Sequence, residues 1–314
     1  MEYRELGKTG LKVSRLCYGT LTLAPQQKNK SLQECRELFS VALDLGINFF
    51  DTADLYDNYN QIKELIKLKL DAIVCTKSYD YSKEGVKQSL EKALRGIGRD
   101  YVDIYMLHEQ ENKNTIQGHW EAIEYLMKMK EKGLVRAIGI STHRVEGVVD
   151  FCDFPELDVV FPITNYTGIG IEDGTRQDME LALEKASQAQ KGIMGMKPFG
   201  GGNLLLDVNQ CFNYVLSLKT LDSIAFGMQS EDEIRFNVAR VNGEIVPENV
   251  ARRVQNEPRK LHISDWCIGC GACVKRCGQS ALTLVKGQAV VDQAKCLTCS
   301  YCASVCPMFC IKVI

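Results

Sequence analysis

The spacing of eight cysteines near the end of the chain constrains it more than any other feature. Cys267, Cys270, Cys273 and Cys277 follow C-x2-C-x2-C-x3-C, and Cys296, Cys299, Cys302 and Cys306 repeat that spacing, with Pro307 after the last. Nine of the 14 cysteines fall in the last 56 residues, whereas Cys17, Cys35, Cys75, Cys152 and Cys211 are scattered through the rest. The opening Met1-Glu2-Tyr3-Arg4 lacks the apolar core of a signal peptide, and no apolar run is long enough to span a bilayer, so a cytoplasmic, reducing setting is expected. In that setting a dense cysteine group reads as metal binding rather than cross-linking. The x2 spacings let a tight loop turn three sulfurs inward onto an iron–sulfur cube. A loop that short cannot wrap the cube, so the fourth thiolate must come from elsewhere. Zinc is the alternative, but zinc motifs usually set two ligand pairs apart by a longer gap or include histidine.

Over about 50 residues this segment resembles bacterial two-cluster ferredoxins, in which the fourth cysteine of each run serves the other cluster. The resemblance implies two 4Fe–4S clusters. Cys267, Cys270, Cys273 and Cys306 would hold one; Cys296, Cys299, Cys302 and Cys277 would hold the other. Gly269 and Gly271 would let the backbone approach the first. The first run is followed by Gly278 rather than proline, and Cys310 reads as a buried thiol outside both sets. Net charge agrees with the division: residues 259–314 carry 7 basic and 2 acidic side chains, against 31 and 38 in residues 1–258. A basic excess there offsets the roughly −4 that two oxidised clusters with eight thiolates would bring. With an overall charge of −2, nothing marks the chain as a nucleic-acid or membrane binder.

The first 240 residues alternate short apolar runs with longer amphipathic ones. Strands are expected at Arg15–Gly19, Asn48–Thr52, Ala72–Thr76, Val102–Leu107, Val135–Ser141, Asp158–Ile163, Ile193–Lys197 and Ser223–Gly227. Several are apolar on both faces, as in parallel strands covered on both sides. Helical periodicity fills Ser31–Leu45, Lys83–Ile97 and Thr115–Lys132. Eight strand-then-helix units point to an α/β (β/α)8 TIM-type barrel; the alternative, an open doubly wound sheet, would be favoured by a Gly-x-Gly-x-x-Gly turn, and none is present. The expected organisation is a barrel over 1–240, a connector over 241–258 and a small ferredoxin-like domain over 259–314.

Four polar residues sit at or just after successive strand ends: Asp51, Tyr56, Lys77 and His108. Catalytic groups of such barrels gather at that end. A lysine beside a tyrosine favours proton release from the phenol, a carboxylate keeps the lysine charged, and an imidazole can hydrogen-bond a carbonyl oxygen. The set suits protonation of an oxygen while hydride arrives at carbon. Read singly, each is an ordinary loop or rim residue. Together with Leu6-Gly7-Lys8-Thr9-Gly10-Leu11-Lys12-Val13-Ser14, Gly46–Tyr56, Asp100–His108 and Gly133–Ser141 they make residues 3–240 resemble the aldo-keto reductase family, and the added cysteine segment resembles that family's iron–sulfur branch. The resemblance implies carbonyl reduction with Tyr56 as general acid and Lys77, Asp51 and His108 as its partners.

The resemblance also implies NADPH or NADH, held by Ser141, Asn165, Lys197, Gly200, Gly201, Ser230 and Asn237. Here the match thins. Ser141-Thr142 stands where Ser-Asn is usual, and Phe161 where a glutamine is usual. Glu233, beside Glu231 and Asp232, stands where Arg or Gln faces the 2′-phosphate, with Arg235 the candidate counter-charge. No flavin motif is found. The leading expectation is an oxidoreductase acting on a small-molecule carbonyl or related substrate, with clusters that exchange electrons with the barrel or a redox partner protein. The alternatives are an electron-transfer protein whose barrel is a docking scaffold without carbonyl turnover, and a chain whose clusters are structural or oxygen-sensing.

Overall fold

Runs that are apolar on both faces need cover on both sides, and a barrel wall lined by helices provides it. The computed structural model describes residues 1–314. The chain opens with an antiparallel hairpin absent from the sequence expectations, β1 (Tyr3–Glu5) paired with β2 (Lys12–Ser14). Strands and helices then alternate: β3 (Leu16–Gly19), α1 (Leu32–Asp44), β4 (Phe49–Asp51), α2 (Tyr59–Leu68), β5 (Ile73–Ser78), α3 (Lys83–Ile97), β6 (Val102–Leu107), α4 (Lys113–Gly118), α5 (Trp120–Glu131), β7 (Val135–Thr142), α6 (Val145–Phe151), β8 (Val159–Pro162), α7 (Arg176–Gln188), β9 (Gly192–Met196), α8 (Val208–Ser217), β10 (Ser223–Gly227) and α9 (Glu231–Asn242). Strands β3 to β10 form a closed parallel barrel, β10 returning beside β3 with Ile224 opposite Leu16. The (β/α)8 architecture expected from the sequence is the one that forms.

Local chemistry sets the element ends. Ser31 and Glu34 make a reciprocal capping box that starts α1, and Ser82 caps α3, which stops at left-handed Gly98. The single helix expected over Thr115–Lys132 is two. Asn112 caps the first by accepting from the Asn114 and Thr115 amides, and the chain breaks at Gly118-His119 before α5.

The hairpin closes one end of the barrel. Leu6, Leu11 and Val13 are buried there, and a Cβ on Gly7 would lie 2.2 Å from the Gly192 nitrogen at the start of β9. The C-terminal ends of the strands therefore form the other, functional end.

Beyond α9 come α10 (Glu248–Gln255), β11 (Leu261–Ile263), α11 (Ala272–Arg276), β12 (Leu282–Val285), β13 (Gln288–Val291) and β14 (Ile311–Val313). Strands β11 and β14 pair antiparallel, and β12 and β13 form a hairpin turning on Lys286 and Gly287, both left-handed. This lobe has its own core of nine buried residues, three of them Cys273, Cys302 and Cys310, against 65 in the barrel core. So little apolar burial needs a staple of another kind. The lobe sits on the barrel mouth: Phe309 belongs to the barrel core, and the Val313 amide donates to Gly201 O at 3.0 Å.

Candidate active site and cysteine lobe

Lys77 stands on β5 pointing into the mouth, with almost no exposure to water. Its Nζ donates to Asp51 Oδ1 at 2.5 Å and to Thr52 O at 2.7 Å. Burial works against the ammonium, but Asp51 and Tyr56 outweigh it and hold Lys77 above the usual lysine range. Tyr56 lies in a short 3-10 turn, Asp54–Tyr56, after β4. Asn58 anchors that turn, accepting from Thr52 Oγ1 at 2.6 Å and donating to Thr20 Oγ1 at 2.9 Å. The Lys77 Nζ lies 5.2 Å from the Tyr56 ring centroid and 5.3 Å from that of Phe161, so an apolar ring, not an amide, faces the ammonium across the barrel. Burial pushes the Tyr56 phenol up to about 12 while Lys77 pulls it down, so the hydroxyl is protonated at neutral pH.

His108, just past β6, has its ring 6.2 Å from that of Tyr56 and stacks on Tyr79 at 4.5 Å. Burial, then Lys77, pushes it down to about 3, so the ring is neutral. Its buried Nδ1 has no hydrogen-bond partner, which leaves a ring nitrogen available to a bound molecule. The structure thus brings Asp51, Tyr56, Lys77 and His108 to one mouth.

Several neighbours escaped the sequence reading. His143 follows β7, and its Nε2 lies 2.5 Å from Lys197 Nζ. Burial and Lys197 hold His143 down to about 4, and burial lowers Lys197 to about 8. Glu109 accepts from Tyr79 Oη at 2.6 Å. Phe309 and Lys312 come from the lobe, the Phe309 ring lying 6.0 Å from the His143 ring and 5.5 Å from Lys197 Nζ. The strand-end rule that singled out His108 could have found His143; no local signal marks the other pair.

Most of the residues expected to hold a nicotinamide cofactor already have partners within the protein. Ser141 Oγ accepts from the Glu109 amide at 2.9 Å. Asn165 is spent on its own loop, accepting from the Ile169 amide at 3.1 Å and donating to Ile169 O at 3.0 Å. Lys197 is left-handed, and the turn after it has Gly200 N donating back to Lys197 O at 2.8 Å. Gly201 O is taken by β14. Ser230 caps α9, accepting from the Glu233 amide, and Asn237 is buried within that helix. Glu233 accepts from the Gln229 amide at 2.6 Å and pairs with Arg259. Arg235, the candidate counter-charge, pairs with Glu231 at 2.7 Å.

The cysteine lobe fits an iron–sulfur group in its donor set. Cys267, Cys270, Cys273 and Cys306 line one hollow, which Gly271, Pro307 and Cys310 also border. Backbone amides of Ala289, Ala281 and Thr298 point at the sulfurs of Cys267, Cys277 and Cys296, each at 3.4 Å. Such N–H···S bonds favour thiolates and tune cluster potentials, and the Ala289 amide holds the Cys267 thiol below its usual range. A Cβ on Gly269 would meet Gly287 O at 2.1 Å, so the first run needs glycine there to reach the hollow. Cys310 is buried with its Sγ 3.4 Å from Cys306 Sγ.

Comparison with known proteins agrees with both parts. The profile described as "Aldo/keto reductase family" matches residues 15–215, and that described as "4Fe-4S dicluster domain" matches residues 259–307. The chain is 28% identical to the L-galactose dehydrogenase of Arabidopsis thaliana, over 77% of this chain and 88% of that one. It is 32% identical to the oxidoreductase YqkF of Bacillus subtilis over 48% of this chain and 52% of that one, about half of each. Among solved structures, a Pseudomonas aeruginosa protein assigned to the aldo-keto reductases superposes with a TM-score of 0.67, covering 77% of this chain and 95% of that one. Its 24% identity makes this a likeness of fold alone. With its profile spanning most of the barrel, this chain belongs to the aldo/keto reductase family, and it carries a 4Fe–4S dicluster domain at its C-terminal side.

Proposed function

We propose that the chain is an iron–sulfur oxidoreductase whose barrel mouth reduces a small carbonyl or related substrate, with Tyr56 as proton donor. The observation that carries this reading is the buried Lys77 ammonium, fixed by Asp51 Oδ1 and Thr52 O and set beside the Tyr56 ring. The name of the similar L-galactose dehydrogenase places that relative's substrate in the alcohol–carbonyl class, and the same class is proposed here.

Adding two electrons and two protons across a C=O bond gives an alcohol, with one proton going to oxygen and the other, taken from solvent, to carbon. In this reading Tyr56 Oη gives its proton to the oxygen, and the charged Lys77 lowers the cost of the phenolate left behind. Asp51 keeps the lysine charged and aimed. The neutral His108, with Nδ1 uncommitted, binds and orients the substrate oxygen. Phe161 keeps water from the face of Lys77 opposite the phenol. Cys267, Cys270, Cys273 and Cys306 would hold one cluster, and Cys296, Cys299, Cys302 and Cys277 the other. Such clusters, when bound, supply electrons one at a time. Ile268 and Leu297, exposed within the two cysteine runs, offer apolar contact to a redox partner protein.

The test is Tyr56→Phe in anaerobically purified protein, assayed with reduced viologen as electron source and a panel of small aldehydes and sugars. Turnover is expected to fall about 10²- to 10⁴-fold with iron content unchanged. Undiminished turnover would remove Tyr56 as the acid. Cluster reduction without turnover on any substrate would favour the scaffold reading.

A further inference from the structure

Barrels of this kind place phosphate-binding loops after their seventh and eighth strands and at the N-terminus of a following helix. In this chain those loops follow β9 and β10, and the helix is α9. Both regions are already in use.

The loop after β9 is bound by the C-terminal strand. Val313 N donates to Gly201 O at 3.0 Å, and Asn203 Nδ2 donates to Ile311 O at 2.9 Å. The approach is close enough that a Cβ on Gly202 would stand 1.9 Å from Val313 O, and one on Gly201 would stand 2.6 Å from Lys312 Cδ. The strand therefore packs directly against the glycine loop that a pyrophosphate would need to approach. Phe309 continues the plug into the mouth, against Gly170 and Lys197.

The end of α9 is closed by charge. Its first turn carries Glu231, Asp232 and Glu233, which repel phosphate where a helix dipole would otherwise attract it. Ser230 accepts from the Glu233 amide, and the Glu233 carboxylate accepts from the Gln229 amide, so these donors are internally satisfied. The other oxygen of Glu233 pairs with Arg259, both side chains mostly out of solvent. Arg259 precedes Lys260, whose backbone exchanges two hydrogen bonds with Ile314, at 2.9 and 3.0 Å. A second pair, Arg253 to Asp232 at 2.6 Å, ties α10 to the same turn. The ion pair at Glu233 and the strand on the glycine loop are therefore two ends of one attachment.

We infer that the chain's own C-terminal segment, Arg259 with Phe309–Ile314, fills the groove in which a dinucleotide would lie, so that this barrel takes neither NADH nor NADPH there. The acidic residues at the α9 end are the receptor for Arg259 rather than a damaged phosphate site. This inference stands apart from the role of Tyr56, because it concerns occupancy of the groove and not turnover.

The test is hydrogen exchange and equilibrium binding on the full-length, iron-loaded protein. With NADPH or NADH raised to about 1 mM, no saturable binding is expected, and exchange of the Val313 and Ile314 amides stays unchanged. Arg259→Glu is expected to speed exchange of both amides by about tenfold or more, and the charge-swapped pair Glu233→Arg with Arg259→Glu to slow it again. Saturable micromolar binding of either nucleotide, or nucleotide-induced release of the Val313 amide, would overturn the inference. So would an Arg259→Glu protein whose exchange at these amides matches that of the parent.

Discussion

A buried lysine survives in this barrel because Asp51 neutralises it and Thr52 O completes its coordination. The two histidines at the mouth solve the same problem differently, by staying neutral. His108 and His143 are held down to about 3 and about 4, from an ordinary value of 6.5, by burial and nearby lysines. As pH falls below 6.5, the unfolded chain takes up protons that the folded chain refuses, so acid pulls toward unfolding. Stability attributable to them is whole above pH 6.5 and drains as pH falls toward those lower values. The melting temperature is expected to drop over that window, and His108→Asn to give a shallower drop than the parent. Equal slopes in parent and variant, by calorimetry at constant ionic strength, would count against a buried neutral His108. Asp51, Tyr56, Lys77 and His108 were legible because strand ends can be located from apolar periodicity. The partners of Ser141 and Asn165 were not, because a side chain's hydrogen bonds depend on which loops lie beside it.

The barrel strands were readable as elements because each is a short apolar run closed by a turn, and β6 and β10 occupy the expected Val102–Leu107 and Ser223–Gly227. The break at His119 was not read because apolar periodicity runs through Gly118-His119, whereas in the fold the His119 ring turns back onto Thr115 O at 2.7 Å. The opening hairpin was missed because three-residue strands carry too little pattern. The loop after β9 is the element on which the attachment of the lobe turns. Gly202 is left-handed, at φ +84, and lies under the Val313 carbonyl. Gly202→Val is therefore expected to dislodge β14, seen as proteolytic sensitivity at the C-terminus that the parent lacks. A variant as resistant as the parent would mean the strand is held elsewhere.

In the molecule as a whole, a large apolar core carries a small lobe whose own core is partly made of sulfur. Metal ligation in such a lobe doubles as folding energy. Cys302→Ala removes one thiolate from the second proposed set, so anaerobically purified variant protein is expected to hold about four irons rather than about eight. A variant retaining the full complement would reassign that ligand set. No helix is long and apolar enough to cross a membrane, and the lobe's exposed Trp266, Ile268, Leu297 and Tyr301 lie beside the cysteines.

Two properties were written in local order. The cysteine spacing specifies cluster-binding loops because a two-residue step limits where a sulfur can point, and eight apolar runs with helices between them specify a barrel because each run needs cover on both faces. What folding alone settled are meetings across long stretches of chain: Lys197 with His143, 54 residues apart; Glu233 with Arg259, 26 apart; Gly201 with Val313. No local pattern encodes such pairs, since each depends on two elements arriving side by side. The acidic turn after Ser230 looked like a poor phosphate site in the sequence; in the folded chain it faces an arginine.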